Sequence, residues 1–167
     1  MSQLSAGMLS TLNSLYRHEL TNHLIYRQFQ SWASFRGLNG AEKWLSSQAQ
    51  GEIEHAGKVF DYILERNEAA DPAPFEFAAA VSPSDFAPIF SAILELERGT
   101  TAAWSACYGA AMAEGDFLTA QWIMGAGGLM AEQLEEENVA QTIVDRIAIR
   151  GQDAAAIHDI DLWLGSL

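Results

Sequence analysis

Gln48-Ala49-Gln50-Gly51-Glu52-Ile53-Glu54-His55 decides how the rest of the chain is read. It sets a Glu and a His three residues apart inside an uninterrupted helical pattern. On an α-helix, i and i+3 project from one face, so Glu52 and His55 point the same way. The rest of that face is apolar: Leu45, Ala49, Ala56, Val59 and Ile63. The opposite face carries Ser47, Gln50, Glu54 and Lys58, and Glu54 with Lys58 reads as an i,i+4 pair on a solvated surface. Glu52 and His55 are therefore polar groups set into a core, where a charge must be paired or must coordinate a metal. A buried Glu–His hydrogen bond satisfies the spacing as well as a metal does. The other helices have to decide between the two.

Composition sets the frame. The chain has 167 residues, of which 49% are hydrophobic, enough for one domain over residues 1–167 with a sizeable core. The four prolines fall at 72, 74, 83 and 88, leaving long stretches free for helix. The one cysteine, Cys107, excludes an internal disulfide framework; it lies in an apolar helical run and reads as a buried, inert thiol. With no basic region and apolar core at Met1-Ser2-Gln3-Leu4-Ser5, no signal peptide is expected, and a cytoplasmic location follows. No apolar run reaches membrane-spanning length. A formal net charge of −13 argues against nucleic acid as a partner and favours cations, although an acidic balance also serves solubility alone.

In chain order, a first helix is expected from near Ser5 to about Phe35, with Leu12, Tyr16, Glu19, His23 and Tyr26 on one stripe. Gly37 and Gly40 flank a short turn, and a second helix runs from about Ala41 to Asn67. Glu68 to Ser84, rich in Ala, Pro and Asp, is too long for a hairpin turn and reads as a crossover along a bundle. Ser82 or Ser84 is the expected cap of the next helix. That third helix spans about Asp85 to Glu114, with Phe90, Ile93, Glu97, Thr101, Trp104 and Tyr108 as its stripe and Glu95 on the other face beside Arg98. Gly115-Asp116 makes a tight turn. A fourth helix is expected from about Phe117 to Arg150, with Leu129, Gln133, Glu136, Ala140, Ile143 and Ile147 sharing a face. Its first half is weakened by Gly125, Gly127 and Gly128, each costing about 1 kcal/mol relative to Ala. A short fifth helix, about Asp153 to Leu164, presents Ile157, Ile160, Trp163 and Leu164. Short, long, short connections between four long helices predict an all-α four-helix bundle with one crossover, the ferritin-like topology, rather than up-down-up-down.

Each long helix thus carries polar groups on its buried stripe: Glu19, then Glu52 with His55, then Glu97, then Gln133 with Glu136. Glu97 lies 18 residues before Gly115, and Gln133 and Glu136 lie 17 and 20 residues after Asp116. At about 1.5 Å per residue these depths agree to within a few ångströms. Four carboxylates, one imidazole and one amide at a common depth cannot all be a satisfied core, because the like-charged carboxylates repel and would be forced to protonate. A pair of divalent metals resolves the conflict, and an oxygen-rich set with one imidazole suits iron, manganese or zinc. Di-iron bundles in general set one Glu on each of two helices and Glu-x-x-His on the other two. Three helices here fit that pattern; the fourth has Gln133-x-x-Glu136.

The chain resembles the bacterial non-haem ferritins over essentially its whole length. The likeness is carried by Leu12-Asn13, Glu19-Leu20, Tyr26, Trp32, Ala49-Gln50, Glu52-x-x-His55, Phe60-Asp61-Tyr62 and Glu132-Gln133-Leu134-Glu135-Glu136-Glu137. Gln-x-x-Glu on the fourth helix separates these ferritins from rubrerythrins and bacterioferritins. The resemblance implies a ferroxidase centre in which Glu19, Glu52 and His55 hold one iron. Glu52 bridges to a second iron held with Glu97 and Glu136, and Gln133 is close by. It makes Tyr26 a neighbour of the centre, while the residue alone reads equally as a core aromatic with a hydrogen-bonded hydroxyl. Bacterioferritins carry a haem-ligating Met directly after the bridging Glu; Ile53 stands there, so no haem is expected. Some bacterial ferritins hold a third iron with a Glu just before the second-helix ligand. Here that residue is Gly51, which leaves Glu132 and Glu135 as partial ligands or, more simply, as a solvated acidic face. The stretch from Glu97 to Gln133 is about three residues longer than the resemblance implies, around Gly125–Gly128, which would loosen the fourth helix.

The function so implied is iron storage with ferroxidase activity. Fe(II) binds as a pair inside the bundle, O2 or H2O2 takes the electrons, and Fe(III) is deposited as mineral inside a 24-subunit homo-oligomeric cage. Trp163, Leu164 and other apolar groups of the fifth helix would then pack at subunit contacts. Two rival readings stay open: a small di-iron oxidase or peroxidase of the ferritin-like class that stores nothing, and a metal-free helical bundle acting as an interaction module.

Overall fold

The computed structural model describes residues 3–74, 85–125 and 129–167. Among these, the secondary structure is helical throughout: α1 (Ala6–Phe35), α2 (Asn39–Glu65), α3 (Phe86–Glu114), α4 (Phe117–Met124), α5 (Leu129–Arg150) and α6 (Ala154–Leu164). Local chemistry sets the ends. The Ser5 hydroxyl accepts from the Met8 amide at 2.9 Å and starts α1. Asp116 accepts from the Thr119 amide at 3.2 Å to start α4. Asp153 accepts from the amides of Ala155 and Ala156 to start α6. Gly115, at φ 72°, takes the left-handed conformation that closes α3 into the tight turn.

The side chains fall into two apolar clusters with a polar layer between them. One holds Phe29 and Trp32 of α1, Trp44 and Leu45 of α2, Phe90 and Ile93 of α3, Ile143 and Ile147 of α5, and Ile160 and Leu164 of α6. The other holds Met8 and Leu12, Val59 and Ile63, Trp104 and Ala111, Ile123 and Leu129. The starts of α2 and α3 share the first cluster and their ends share the second, so α2 and α3 run parallel. The connection between them must travel the length of the bundle, as the crossover reading requires. Its residues 75–84 lie outside the described residues, and with them the expected caps Ser82 and Ser84. Asp85 occupies the cap position itself, accepting from the Phe86 amide at 2.8 Å.

Three expectations change. The fourth helix is interrupted: α4 stops at Met124, Gly125 is extended (φ −74°, ψ 177°), and α5 starts at Leu129. Gly125, the first of the glycines that weaken helix locally, is where α4 gives way. The second helix begins at Asn39, two residues early, because the Asp161 carboxylate of α6 accepts from the Ala41 amide at 2.8 Å. A Cβ at Gly40 would stand 1.7 Å from the Asp161 carbonyl oxygen, so this approach of α6 to α2 requires glycine. Finally, Leu164 is buried in its own chain's core rather than left for a neighbour, and Trp163 lies under the Arg146 guanidinium, 3.8 Å from the ring centroid. The exposed apolar groups near this end are Leu162, Leu167 and Ile149.

Candidate metal centre

The layer between the two apolar clusters is where the polar stripe residues meet. Glu19, Glu52, His55, Glu97 and Gln133 are buried, and Glu136 is half-buried. One ligand atom from each of Glu19, Glu52 and His55 lies within 4.8 Å of the other two. His55 Nδ1 stands 3.8 Å from Glu52 Oε2 and 4.0 Å from Glu19 Oε2. Glu136 Oε1 approaches the same imidazole at 4.0 Å from Nε2. On the other side, the Gln133 amide donates to Glu97 Oε2 at 2.7 Å, and the Tyr26 hydroxyl donates to Glu97 Oε1. The depth matches counted from the turns are therefore real contacts.

Four candidate ligand atoms lack any hydrogen-bond partner: Glu19 Oε2, Glu52 Oε2, His55 Nδ1 and Glu136 Oε2. A buried carboxylate oxygen left so costs about 1–3 kcal/mol or more, and the grouping of Glu19, Glu52 and His55 around one point suits a cation. The electrostatics agree. Burial pushes the Glu19 carboxyl well above the usual range, and the Glu52 carboxyl beside it pushes further. Burial raises Glu52 to about 8 and Glu136 to about 7, with the Glu97 charge adding to both. Burial also raises Glu97, although the donors Tyr26 and Gln133 work against the rise. Burial thus disfavours the charged form of all four carboxyls, a cost that a bound divalent cation would relieve.

Some partners were invisible in the sequence. Trp104 Nε1 donates to Glu19 Oε1 at 2.7 Å, fixing one oxygen and leaving the other directed at His55. Trp104 sits on the Glu97 stripe, and a buried indole N–H needs an acceptor, which was the available signal. Asn22 donates to Thr100 Oγ1 at 2.9 Å. Lys58 does not pair with Glu54 as expected. Its ammonium donates to both Glu132 oxygens, at 2.9 and 3.2 Å, while Glu54 accepts from Gln50. Glu132 also contacts His55 Nε2 at 3.0 Å, so it is not merely a solvated face, whereas Glu135 is exposed. The two readings of Tyr26 coincide: it is a core aromatic whose hydroxyl is hydrogen-bonded, and the acceptor is Glu97.

Residues 9–150 match the family model described as a ferritin-like domain. The chain belongs to the ferritin family. It is 27% identical over 164 residues to a bacterial non-haem ferritin of Escherichia coli, covering 98% of this chain and 97% of that one. It is 29% identical over 167 residues to the bacterial non-haem ferritin of Bacteroides fragilis, covering 97% and 98%. Among solved structures it is similar to the open-pore ferritin of the hyperthermophilic archaeon Archaeoglobus fulgidus, with TM-score 0.89, 29% identity and 98% of each chain covered. This ferritin-family chain contains no helix, among the described residues, long and apolar enough to cross a membrane.

Proposed function

We propose that this ferritin-family chain stores iron and oxidises it at a di-iron centre within the bundle, acting as one domain over residues 1–167. The observation that carries the reading is the buried group of Glu19, Glu52 and His55, whose ligand atoms lie within 4.8 Å of one another and include three atoms without a hydrogen-bond partner. Fe(II) is the substrate. Glu19, Glu52 and His55 take one ion, and Glu52 bridges to a second held by Glu97 and Glu136. Gln133 holds the Glu97 carboxylate from one side and Tyr26 from the other. Binding expels the protons that burial keeps on these carboxyls, and the apolar clusters above and below exclude bulk water. Two Fe(II) become two Fe(III); the two electrons reduce O2 to H2O2, or H2O2 to water. Glu132 stands at the edge of the centre, against His55, and the relatives' names, bacterial non-haem ferritin, support the iron-handling reading, in which the product is deposited inside an oligomer. The exposed apolar side chains Phe35, Leu162, Leu167 and Ile149 support contacts with further copies in a 24-subunit cage.

Native mass and Fe(II) oxidation measured on one sample test the proposal. A particle of about two dozen chains that takes up far more than two irons per chain is expected. A dimer holding about two metals per chain would replace storage with a non-storing oxidase or peroxidase. Absence of metal uptake would leave the buried carboxylates a structural feature.

The proposal fixes a pH dependence. Glu136 and Glu52 titrate at about 7 and about 8. Divalent-metal affinity should rise from about pH 6 to about pH 8, with protons released on binding. Calorimetry in two buffers of different ionisation enthalpy counts those protons. The metal-free fold runs in the opposite sense. These carboxyls are raised above their unfolded values, so their contribution to stability is present in acid and is lost as pH rises through 7 and 8. Affinity that is flat across the window would refute the assignment.

A further inference from the structure

Glu132 stands where a third metal ligand would be sought, yet its carboxylate is already engaged. Lys58 Nζ donates to both of its oxygens, at 2.9 and 3.2 Å, and His55 Nε2 lies 3.0 Å from Oε2. A carboxylate only accepts, so the imidazole proton sits on Nε2. In the neutral imidazole the lone pair is then on Nδ1, the buried nitrogen without a partner, which faces Glu19 Oε2 and Glu52 Oε2. Lys58 follows His55 by three residues on α2, on the same side of the helix, and Glu132 reaches across from α5. A third ion on Glu132 would have to compete with these three contacts. The neighbouring α2 position that might add a carboxylate is Gly51, where a Cβ would meet nothing closer than Glu136 Oε1 at 4.0 Å.

We propose that Glu132 is the positioning residue of His55, anchored by Lys58, and that it holds the imidazole in the tautomer whose Nδ1 binds metal. The inference rests on the reading of His55 as a ligand. The physical role is that of a carboxylate behind a metal-bound histidine. It orients the ring, sets the tautomer and raises the basicity of the ligating nitrogen. Lys58 keeps Glu132 aimed, because its ammonium donates to both carboxylate oxygens and fixes their direction.

The test uses the full assembled protein, metal-free, with 15N-labelled histidine, sedimented for solid-state NMR. Four histidines give the signals, and a His55→Gln variant assigns the relevant pair. In the parent, His55 is expected to be protonated on Nε2. Glu132→Gln keeps an acceptor and should keep that tautomer; Glu132→Ala should lose it and give mixed signals. Zn(II), a redox-inert probe, should bind about 10–100-fold more weakly to Glu132→Ala, with partial or full rescue in Glu132→Gln. Glu132 is 44% exposed, so neither variant is expected to disturb folding. An unchanged His55 tautomer in Glu132→Ala would overturn the proposal. So would loss of one Zn(II) per chain in Glu132→Gln with His55 signals unmoved, which is the signature of a third-site ligand. If the parent binds no Zn(II) in the bundle, the metal reading itself fails, while the tautomer spectra still report whether Glu132 orients the ring.

Discussion

Glu52→Ala is expected to abolish the proposed rapid Fe(II) oxidation and to leave the bundle folded. Glu52 is 3% exposed, and its Oε2 is one of the two carboxylate oxygens facing His55 Nδ1. As the proposed bridge it serves both iron positions, so its loss should cost more than about 100-fold in initial rate, beyond the 10–100-fold typical of outer partners of a metal. Stability moves little. The cavity left by truncation costs about 1–2 kcal/mol. Removing a buried carboxyl oxygen without a partner returns a similar amount. The melting temperature of metal-free protein should therefore shift by no more than a few degrees. Glu52→Gln, which preserves volume, should be as inactive, because an amide is a poor bridging ligand. Stopped-flow oxidation and thermal melts on the same preparations check both halves. A variant as fast as the parent would remove Glu52 from the site.

The largest stability effect is expected far from that layer, at Arg66. Its guanidinium donates to the Tyr62 hydroxyl at 2.6 Å, to Thr119 Oγ1 at 2.8 Å, and to both Asp116 oxygens at 3.0 and 3.1 Å. Thr119 donates to Asp116 in turn at 2.7 Å, and Tyr62 stacks on Trp122 at 4.0 Å between ring centroids. The network joins the end of α2 to the start of α4. Its side chains are mostly buried, at 6% exposure for Arg66 and 15% for Asp116. Arg66→Met leaves Asp116 and two hydroxyls without their shared donor, and breaking such a pair from one side costs about 3–5 kcal/mol. A fall in melting temperature of about 10 °C is expected, with iron oxidation per folded chain unchanged. Burial raises the Asp116 carboxyl, but Arg66 and Thr119 outweigh it and hold it below the usual range. The parent's advantage over Arg66→Met should therefore be full at neutral pH and fade on acidification through that range. A loss under about 1 kcal/mol would make the network an ordinary surface pair.

Arg66 also shows where sequence reading stops. Nothing in its spacing marked it as buried; it fell at the end of a helix with a polar tail. The interruption at Gly125 was readable as a weakness, because three glycines within four residues carry a local helix penalty. The early start of α2 was not, because its cap, Asp161, lies 120 residues away.

The sequence by itself determined the buried face of each long helix, the crossover, and the matching depth of Glu97, Gln133 and Glu136 about their turn. These follow from the 3.6-residue period and from counting residues outward from a turn, and both are local properties of the chain. Only the tertiary structure decided which atom meets which. Trp104 takes Glu19 across 85 positions, and His55 meets Glu132 across 77. Lys58 leaves its i,i+4 neighbour for Glu132 on another helix, and Leu164 turns inward instead of toward a neighbouring subunit. Helical periodicity names the face a side chain occupies. The partner on that face depends on how two helices slide and rotate against each other, which is set by packing summed over the whole interface.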